Sequence, residues 1–264
     1  MVRVDAGGSF CGMRRDNAEK GCCEMITLIS DIDGTLLGDE KGLSEFREYA
    51  ANTGIRLIYA TGRNSKEFES AMADSGLPEP DAYILNTGAD IYIRENSVYP
   101  VDKEWHARIG AEWEKEKIFA CIPGGGGMRG QGKDEEYKLS YFVDEESAPE
   151  IRKAVEIGFE RAGLKAEILL SHGVYMDVLP AGCHKGSAAL YLIEKMGLDK
   201  DSVIVAGDSE NDAELFECFA AGIMVSNARR GLAEKIKGNG HYMSRSPYAL
   251  GVVEGLKYYE RIRG

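Results

Sequence analysis

No apolar stretch in the 264 residues approaches the roughly 18 needed to span a bilayer, which excludes a membrane-spanning helix and the ion-pump chemistry built on one. Basic runs are also missing. Asp and Glu outnumber Lys and Arg by 44 to 32, for a formal charge of −12, so nucleic acid and anionic membranes are poor partners. An anionic substrate must then be held by a few local cations and a metal, against the field of the whole molecule. Six cysteines occur without any C-x-x-C pair. Cys11, Cys22 and Cys23 precede the first strand, and Cys121, Cys183 and Cys218 are scattered, which argues against a disulfide scaffold in a chain of this size. Reduced thiols and a cytoplasmic location are expected. Cys183 sits beside His184, but a bystander thiol is commoner than a nucleophile. Residues 1–24 are polar and aperiodic and lack the apolar core of a secretory signal. They read as a disordered extension, or as sequence upstream of a true start at Met25. No internal repeat is visible.

What is present is organised around one stretch, from Met25 through Asp31-Ile32-Asp33-Gly34-Thr35 to Leu37. Met25 to Ile29 are continuously apolar or β-branched, as a strand buried on both faces requires. Two carboxylates one residue apart follow it, then a turn. In an open parallel sheet ligands bind at the carboxyl ends of strands. Burying two carboxylates there is costly unless a cation neutralises them, so the pair predicts a divalent metal. A solvated acidic turn is the alternative, and this stretch alone leaves both open.

The rest of the chain supplies a rhythm. Leu43, Phe46, Tyr49 and Ala50 have helical spacing, and Ile55 to Tyr59 form a second strand that runs into Thr61-Gly62-Arg63. Asn64 and Glu67 have capping-box spacing for a helix through Met72. Asp81 to Leu85 is a third strand, followed by Asn86-Thr87-Gly88 and a hairpin partner, Ala89 to Ile93. The alternation predicts an α/β fold, a Rossmann-like doubly wound parallel sheet. Near Asp102 the rhythm changes. Trp105 to Phe119 is predicted as one helix, and the glycines 124–127 with the loop to Gly132 as a mobile linker rather than a lid. Tyr137–Val143, Ser147–Ala162, Lys165–Leu170 and Val174–Leu179 then read strand, helix, strand, strand. This predicts an inserted α+β cap over 104–182, with the catalytic core split between 25–103 and 183–264. The core resumes with a helix opening at Lys185, a strand from Ser202 to Ala206, and Gly207-Asp208-Ser209-Glu210-Asn211-Asp212. The remainder reads as short alternating helices and strands to Gly255.

These motifs resemble those of the haloacid dehalogenase-like phosphohydrolase superfamily: Asp31-Ile32-Asp33-Gly34-Thr35, Thr61, Lys185, and Gly207-Asp208 with Asn211 and Asp212, in the right order and with the cap in the right place. Any one of them is weak evidence, and together they are specific. The resemblance extends through the α+β-capped (Cof-type) group to the sucrose-phosphate phosphatase-like family, carried also by Tyr59 to Arg63, Lys138 to Asp144 and Met176 to Pro180. It thins in the glycine-rich loop, which has no counterpart. It implies an Mg²⁺-dependent sugar phosphatase working through an aspartyl-phosphate, with a disaccharide phosphate such as sucrose 6-phosphate or mannosylfructose phosphate as substrate.

The same resemblance implies the roles. Asp31 is the nucleophile and Asp33 the acid and base. Lys185 is the neutralising cation, and Thr61 and Gly62 bind phosphate. Asp31, the Asp33 carbonyl and Asp208 hold the metal, with Asn211 and Asp212 as outer orienters or water-mediated ligands. Arg63 at a helix start opposes the helix dipole and so asks for a phosphate or carboxylate partner. Lys138, Ser140, Tyr141 and Asn86 are the candidates for sugar hydroxyls. A phosphosugar mutase and a broad-specificity phosphatase remain as alternatives. A non-enzymatic sensor is disfavoured, because a binding module needs no acid/base partner for Asp31. A monomer or a dimer fits equally.

Overall fold

In the computed structural model, which describes residues 25–133 and 135–263, the chain builds two sheets. In chain order the elements are β1 (Thr27–Ser30), α1 (Glu40–Thr53), β2 (Arg56–Ala60), α2 (Ser65–Ser75), β3 (Ala82–Leu85) and β4 (Asp90–Ile93). Next come α3 (Lys103–Ile109), α4 (Lys115–Cys121), β5 (Met128–Gly130), β6 (Leu139–Val143), α5 (Ala148–Ala162), β7 (Ala166–Ser171) and β8 (Tyr175–Pro180). The chain closes with α6 (Lys185–Lys195), β9 (Val203–Gly207), α7 (Ala213–Cys218), β10 (Gly222–Met224), α8 (Arg230–Lys235), β11 (Tyr242–Met243) and α9 (Tyr248–Arg263). The expectation for residues 1–24 lies outside the described residues.

The larger sheet has the order β11-β10-β9-β1-β2-β3-β4 and is parallel except at β4, which returns antiparallel to β3. The chain starts at the centre and winds outward both ways, as an α/β sheet with helices on both faces must. Residues of β1 alternate between two apolar layers. Ile29 packs with Ala188, Leu192 and Phe216 on one face, and Leu28 with Phe46, Val252 and Leu256 on the other. Neither face of β1 meets water, Thr27 and Ser30 included, and each buried apolar side chain contributes about 1.5–3 kcal/mol.

The second sheet, β5-β6-β8-β7, is antiparallel and carries its own core of Ile118, Leu139, Tyr141, Val143, Val155, Phe159, Met176 and Val178. It is the expected α+β insertion, with three differences. The helix expected over Trp105 to Phe119 is broken between Gly110 and Glu114. Trp105 and Ile109 pack into the core of the large sheet, whereas Ile118 packs into the small one, so the chain turns where it passes between two hydrophobic cores. Within residues 104–109, the first of those read as the cap, Trp105 and Ile109 thus pack with the large sheet.

The glycine-rich segment is likewise not a linker. Gly125, Gly126 and Gly127 all have positive φ, a run that only glycine makes without strain. They turn the chain so that β5 pairs as an edge strand with β6, Met128 opposite Val143. Finally, the tail expected to alternate ends instead in α9, a 16-residue helix. Its Gly255 lies so close to β10 that a Cβ there would come within 2.5 Å of Ile223. That glycine is a packing notch inside a helix, not a helix end.

Candidate active site

Parallel pairing in register brings the strand ends together. Ser30 lies opposite Tyr59 of β2 and Ala206 of β9, so Asp31, Thr61 and Asp208 emerge at one edge of the sheet. The Asp31 N–H donates to the Ala206 carbonyl at 3.0 Å, and the Thr61 N–H to Ile84 at 2.9 Å, which ties both residues to the ends of their neighbouring strands. Gly34, at φ +81°, then turns the chain under Asp208. A Cβ at this position would stand 2.5 Å from Asp208 Oδ2, so only glycine permits the approach.

Lys185 opens α6, where His184 caps the helix by accepting from the Ser187 N–H. Its side chain is fully buried, and Nζ donates to Asp31 Oδ1 and to Asp212 Oδ1, each at 2.7 Å. Burial works to lower the Lys185 pKa, but Asp212 and Asp31 outweigh it and hold the ammonium above its ordinary value. Asp212 Oδ2 accepts from the backbone N–H groups of Asp208 and Ser209 at 3.0 and 3.1 Å. Asp208 Oδ1 accepts from Thr35 at 3.0 Å.

Asp31, Asp208 and Asp212 place carboxylate oxygens within 4.8 Å of one another, all of them buried. Among the described residues Lys185 is the one cation bonded directly to this cluster, so two negative charges are left over when all three carboxylates ionise. The metal-free electrostatics register the excess. Burial, reinforced by Asp212, pushes Asp208 up to about 7, and burial drives Asp31 well above the carboxylate range despite Lys185. Oxygen ligands, excess negative charge and little water suit a hard divalent cation. Among the described residues no donor meets the second oxygen of Asp31 or of Asp208, whereas both oxygens of Asp212 are engaged, which suits Asp212 to orienting Lys185 and the turn from outside.

Above this cluster lies a cavity of about 440 Å³. The core lines it with Asp31, Asp33, Thr61, Gly62, Arg63 and Asn211, and the inserted unit with Lys138, Phe142, His172, Tyr175 and Asp177, among others. Asn211 Oδ1 accepts from Ser209 at 2.8 Å. Arg63 has found the carboxylate partner that its position asked for: its Nε and Nη2 donate to the two oxygens of Asp33 at 2.7 and 2.6 Å. Lys138 is nearly buried, with Nζ 2.9 Å from the Gly62 carbonyl and 3.6 Å from Asp177. Asp177 in turn accepts from Ser140 at 2.6 Å and from Thr87 of the core at 3.1 Å. The insertion is thus pinned to the core at the rim of the cavity.

Of the sugar candidates, Tyr141 and Asn86 are not brought to the cavity, and Ser140 meets it only through Asp177. Tyr141 packs in the core of the small sheet, since on β6 it is three residues from Lys138 and must face the other way. Asn86 donates its amide to Asp90 and Glu135 at 2.6 and 3.3 Å and is absent from the cavity lining. Conversely, Phe142, His172, Tyr175 and Asp177 line the cavity without having been singled out. For Phe142 a signal existed: it lies four residues from Lys138 on one strand and therefore on the same face. His172 and Tyr175 are placed by the β7–β8 turn, which period alone does not orient. Burial and Arg229 lower the His172 pKa, against the pull of Glu210 and Asp212. Cys183 is buried and its thiol pushed far up by burial, which leaves it a bystander.

A doubly wound sheet with an acidic cluster at its carboxyl edge, roofed by an α+β insertion, defines a capped haloacid dehalogenase-like protein. Within that class the sucrose-6F-phosphate phosphohydrolase family model matches residues 24–260, and the chain belongs to that family. It is similar to sucrose-phosphatase 2 of Nicotiana tabacum, 30% identical over 79% of this chain and 52% of the relative. It is also 33% identical to the glucosylglycerol-phosphate synthase of Pseudomonas anguilliseptica, over 79% of this chain and 27% of that protein. The chain spans about half the length of the curated sucrose-phosphatases it matches. Among solved structures, the sucrose-phosphatase from Synechocystis sp. PCC6803 in complex with sucrose and phosphate superposes with a TM-score of 0.83 at 27% identity, covering 90% of this chain and 98% of that one. A haloacid dehalogenase-like hydrolase from Bacillus subtilis, 20% identical over 89% of this chain and 92% of that one, shares the fold with a TM-score of 0.63.

Proposed function

We propose that this protein is an Mg²⁺-dependent phosphatase that releases phosphate from a disaccharide phosphate, such as sucrose 6-phosphate, through an aspartyl-phosphate. The observation that carries the reading is the meeting of Asp31, Asp208 and Lys185 beneath a cavity whose other wall is the insertion. A phosphate monoester resists hydrolysis enough to need accelerations of up to ~10²¹-fold, and splitting the reaction at a covalent intermediate divides that barrier.

Lys185 holds Asp31 Oδ1, and Asp31 attacks phosphorus through its carboxylate. The phosphorus–oxygen bond to the sugar breaks as the bond to Asp31 forms. Asp33 gives its proton to the departing sugar oxygen, then takes one from the water that cleaves the acyl phosphate. Thr61, the Gly62 backbone and Asn211 line the cavity where the phosphoryl oxygens come to rest, and Lys185 neutralises charge at the attacking oxygen. Asp31, the Asp33 carbonyl and Asp208 would hold Mg²⁺, with Asp212 outside, and the ion would supply the remaining positive charge against the phosphate dianion. On the sugar side, Lys138, His172, Tyr175 and Asp177 offer hydrogen bonds and Phe142 an apolar face. The family membership supports a phosphorylated sugar, and the volume of the cavity leaves room for more than one ring.

A panel of mono- and disaccharide phosphates assayed for inorganic phosphate tests this reading. The greatest rate is expected on a disaccharide phosphate with Mg²⁺ present. Interconversion of phosphosugar isomers without phosphate release would replace it with a mutase.

A further inference from the structure

The insertion reaches Asp33 through a chain of side chains that the metal cluster does not use. Arg63 is pinned on every nitrogen of its guanidinium. Nε and Nη2 fork the two oxygens of Asp33, and Nη1 donates to the Glu67 carbonyl at 3.0 Å. The Asp33 side chain is half exposed, at 50%, so packing does not orient it and the fork does. Glu67 is itself divided. Oε2 accepts from the Asn64 N–H in the capping box at the start of α2, and Oε1 lies 2.8 Å from Nζ of Lys133. Lys133 stands three residues beyond β5, on the strand-and-turn segment that the glycines 125–127 create, and it lines the same cavity. Hydrogen bonding to Asp33 raises the Arg63 pKa, and Lys133 with Asn64 holds Glu67 below its ordinary value in spite of its burial.

We infer that Arg63 is the positioning residue for Asp33, and that Lys133 couples the seating of the insertion to it through Glu67. This rests on reading Asp33 as the acid. A proton donor must lie within about 2.6–3.2 Å of the leaving oxygen, and a half-exposed aspartate held by nothing samples other rotamers. The planar fork of the guanidinium fixes both oxygens of Asp33 at once, which a lysine, with a single point charge, does less well. The Lys133–Glu67 pair is partly exposed, and its coupling is correspondingly modest.

The test compares kcat/KM on sucrose 6-phosphate, whose alkoxide must be protonated, with kcat/KM on p-nitrophenyl phosphate, whose phenolate departs without a proton. This ratio ends at departure of the leaving group, so the later hydrolysis of the acyl phosphate does not enter it. Arg63→Lys is expected to lower the sugar-to-aryl ratio by about tenfold, in line with general acid catalysis. Lys133→Ala is expected to lower it about two- to fivefold, and Lys133→Arg to restore it. Equal losses on both esters, or ratios left at the wild-type value, overturn the coupling while leaving the phosphatase reading in place. A wild-type protein that releases phosphate from neither ester overturns both. Lys133 is partly exposed and outside both hydrophobic cores, so its variants report even if Arg63→Lys folds poorly.

Discussion

Lys185 and Asp31, 154 residues apart in sequence, meet at 2.7 Å in a pair shut off from solvent. The same ammonium bonds Asp212 at 2.7 Å, so one cation stands between two carboxylates contributed by separate strand ends. Such an arrangement is poor economy for stability alone, because desolvating three charges is returned only partly by their attraction. Its use is positional: it orients one oxygen of Asp31 and frees the other.

Asp31→Asn removes the attacking oxygen while keeping the shape of the side chain. Phosphate release from the best sugar phosphate is expected to fall by at least about a thousandfold with the fold retained. Inorganic phosphate measured beside a circular dichroism spectrum checks both halves, and undiminished release would refute Asp31 as the nucleophile.

Lys185→Met leaves Asp212 Oδ1 without its cation in a closed interior. Losing one partner of a buried pair costs about 3–5 kcal/mol. For a chain of this size each kcal/mol moves Tm by about 2–4 °C, so a drop of roughly 10 °C is expected by calorimetry, together with loss of activity. A Tm within about 2 °C of wild type would mean that the ion pair is not formed.

The acidic cluster makes a signed prediction about pH. Burial raises Asp31 and Asp208, the latter to about 7, above the values of the unfolded chain. Between pH 4 and 7 the folded, metal-free protein therefore holds protons that the unfolded chain has shed, and its stability falls as pH rises through that window. A divalent cation would bind the ionised form, so the stabilising effect of Mg²⁺ should be larger at pH 8 than at pH 5. Thermal melts with EDTA and with Mg²⁺ at the two pH values measure this. A Tm rise that is greater at pH 5 would contradict the assignment of the cluster as the metal site.

Gly34→Ala tests the metal site by shape rather than charge. The added methyl would meet Asp208 Oδ2 at 2.5 Å, on a backbone at φ +81°. Strain of about 1–3 kcal/mol and a displaced Asp208 are expected, seen as a weaker magnesium requirement curve and lower kcat. Wild-type magnesium dependence in this variant would show that Asp208 is not a ligand.

Tyr141→Phe and Lys138→Ala separate the two faces of β6. Tyr141 packs into the core of the insertion, so its phenylalanine variant should keep the KM for sugar phosphate within about twofold. Lys138 lines the cavity and touches Gly62 and Asp177, so truncating it should raise KM by tenfold or more. Steady-state kinetics on one substrate decides the matter, and the reverse pattern would return Tyr141 to the cavity.

Some of this was already legible along the chain, because it rests on local chemistry. A continuously apolar strand has to be buried on both faces. Asp31, Thr61 and Asp208, each just past such a strand, could then be placed at carboxyl ends, and parallel pairing brings those ends to one edge. The α+β insertion was visible for the same reason, as a change of period. Tertiary structure alone decided what depends on which face or which neighbour a side chain meets. The partner of Arg63 is Asp33, thirty residues away. The amide of Asn86 is taken by Asp90 and Glu135, one of them from the insertion. The helix expected through Phe119 breaks because two separate cores compete for its two halves. Periodicity reports that a face is apolar, but it does not say which core that face will find.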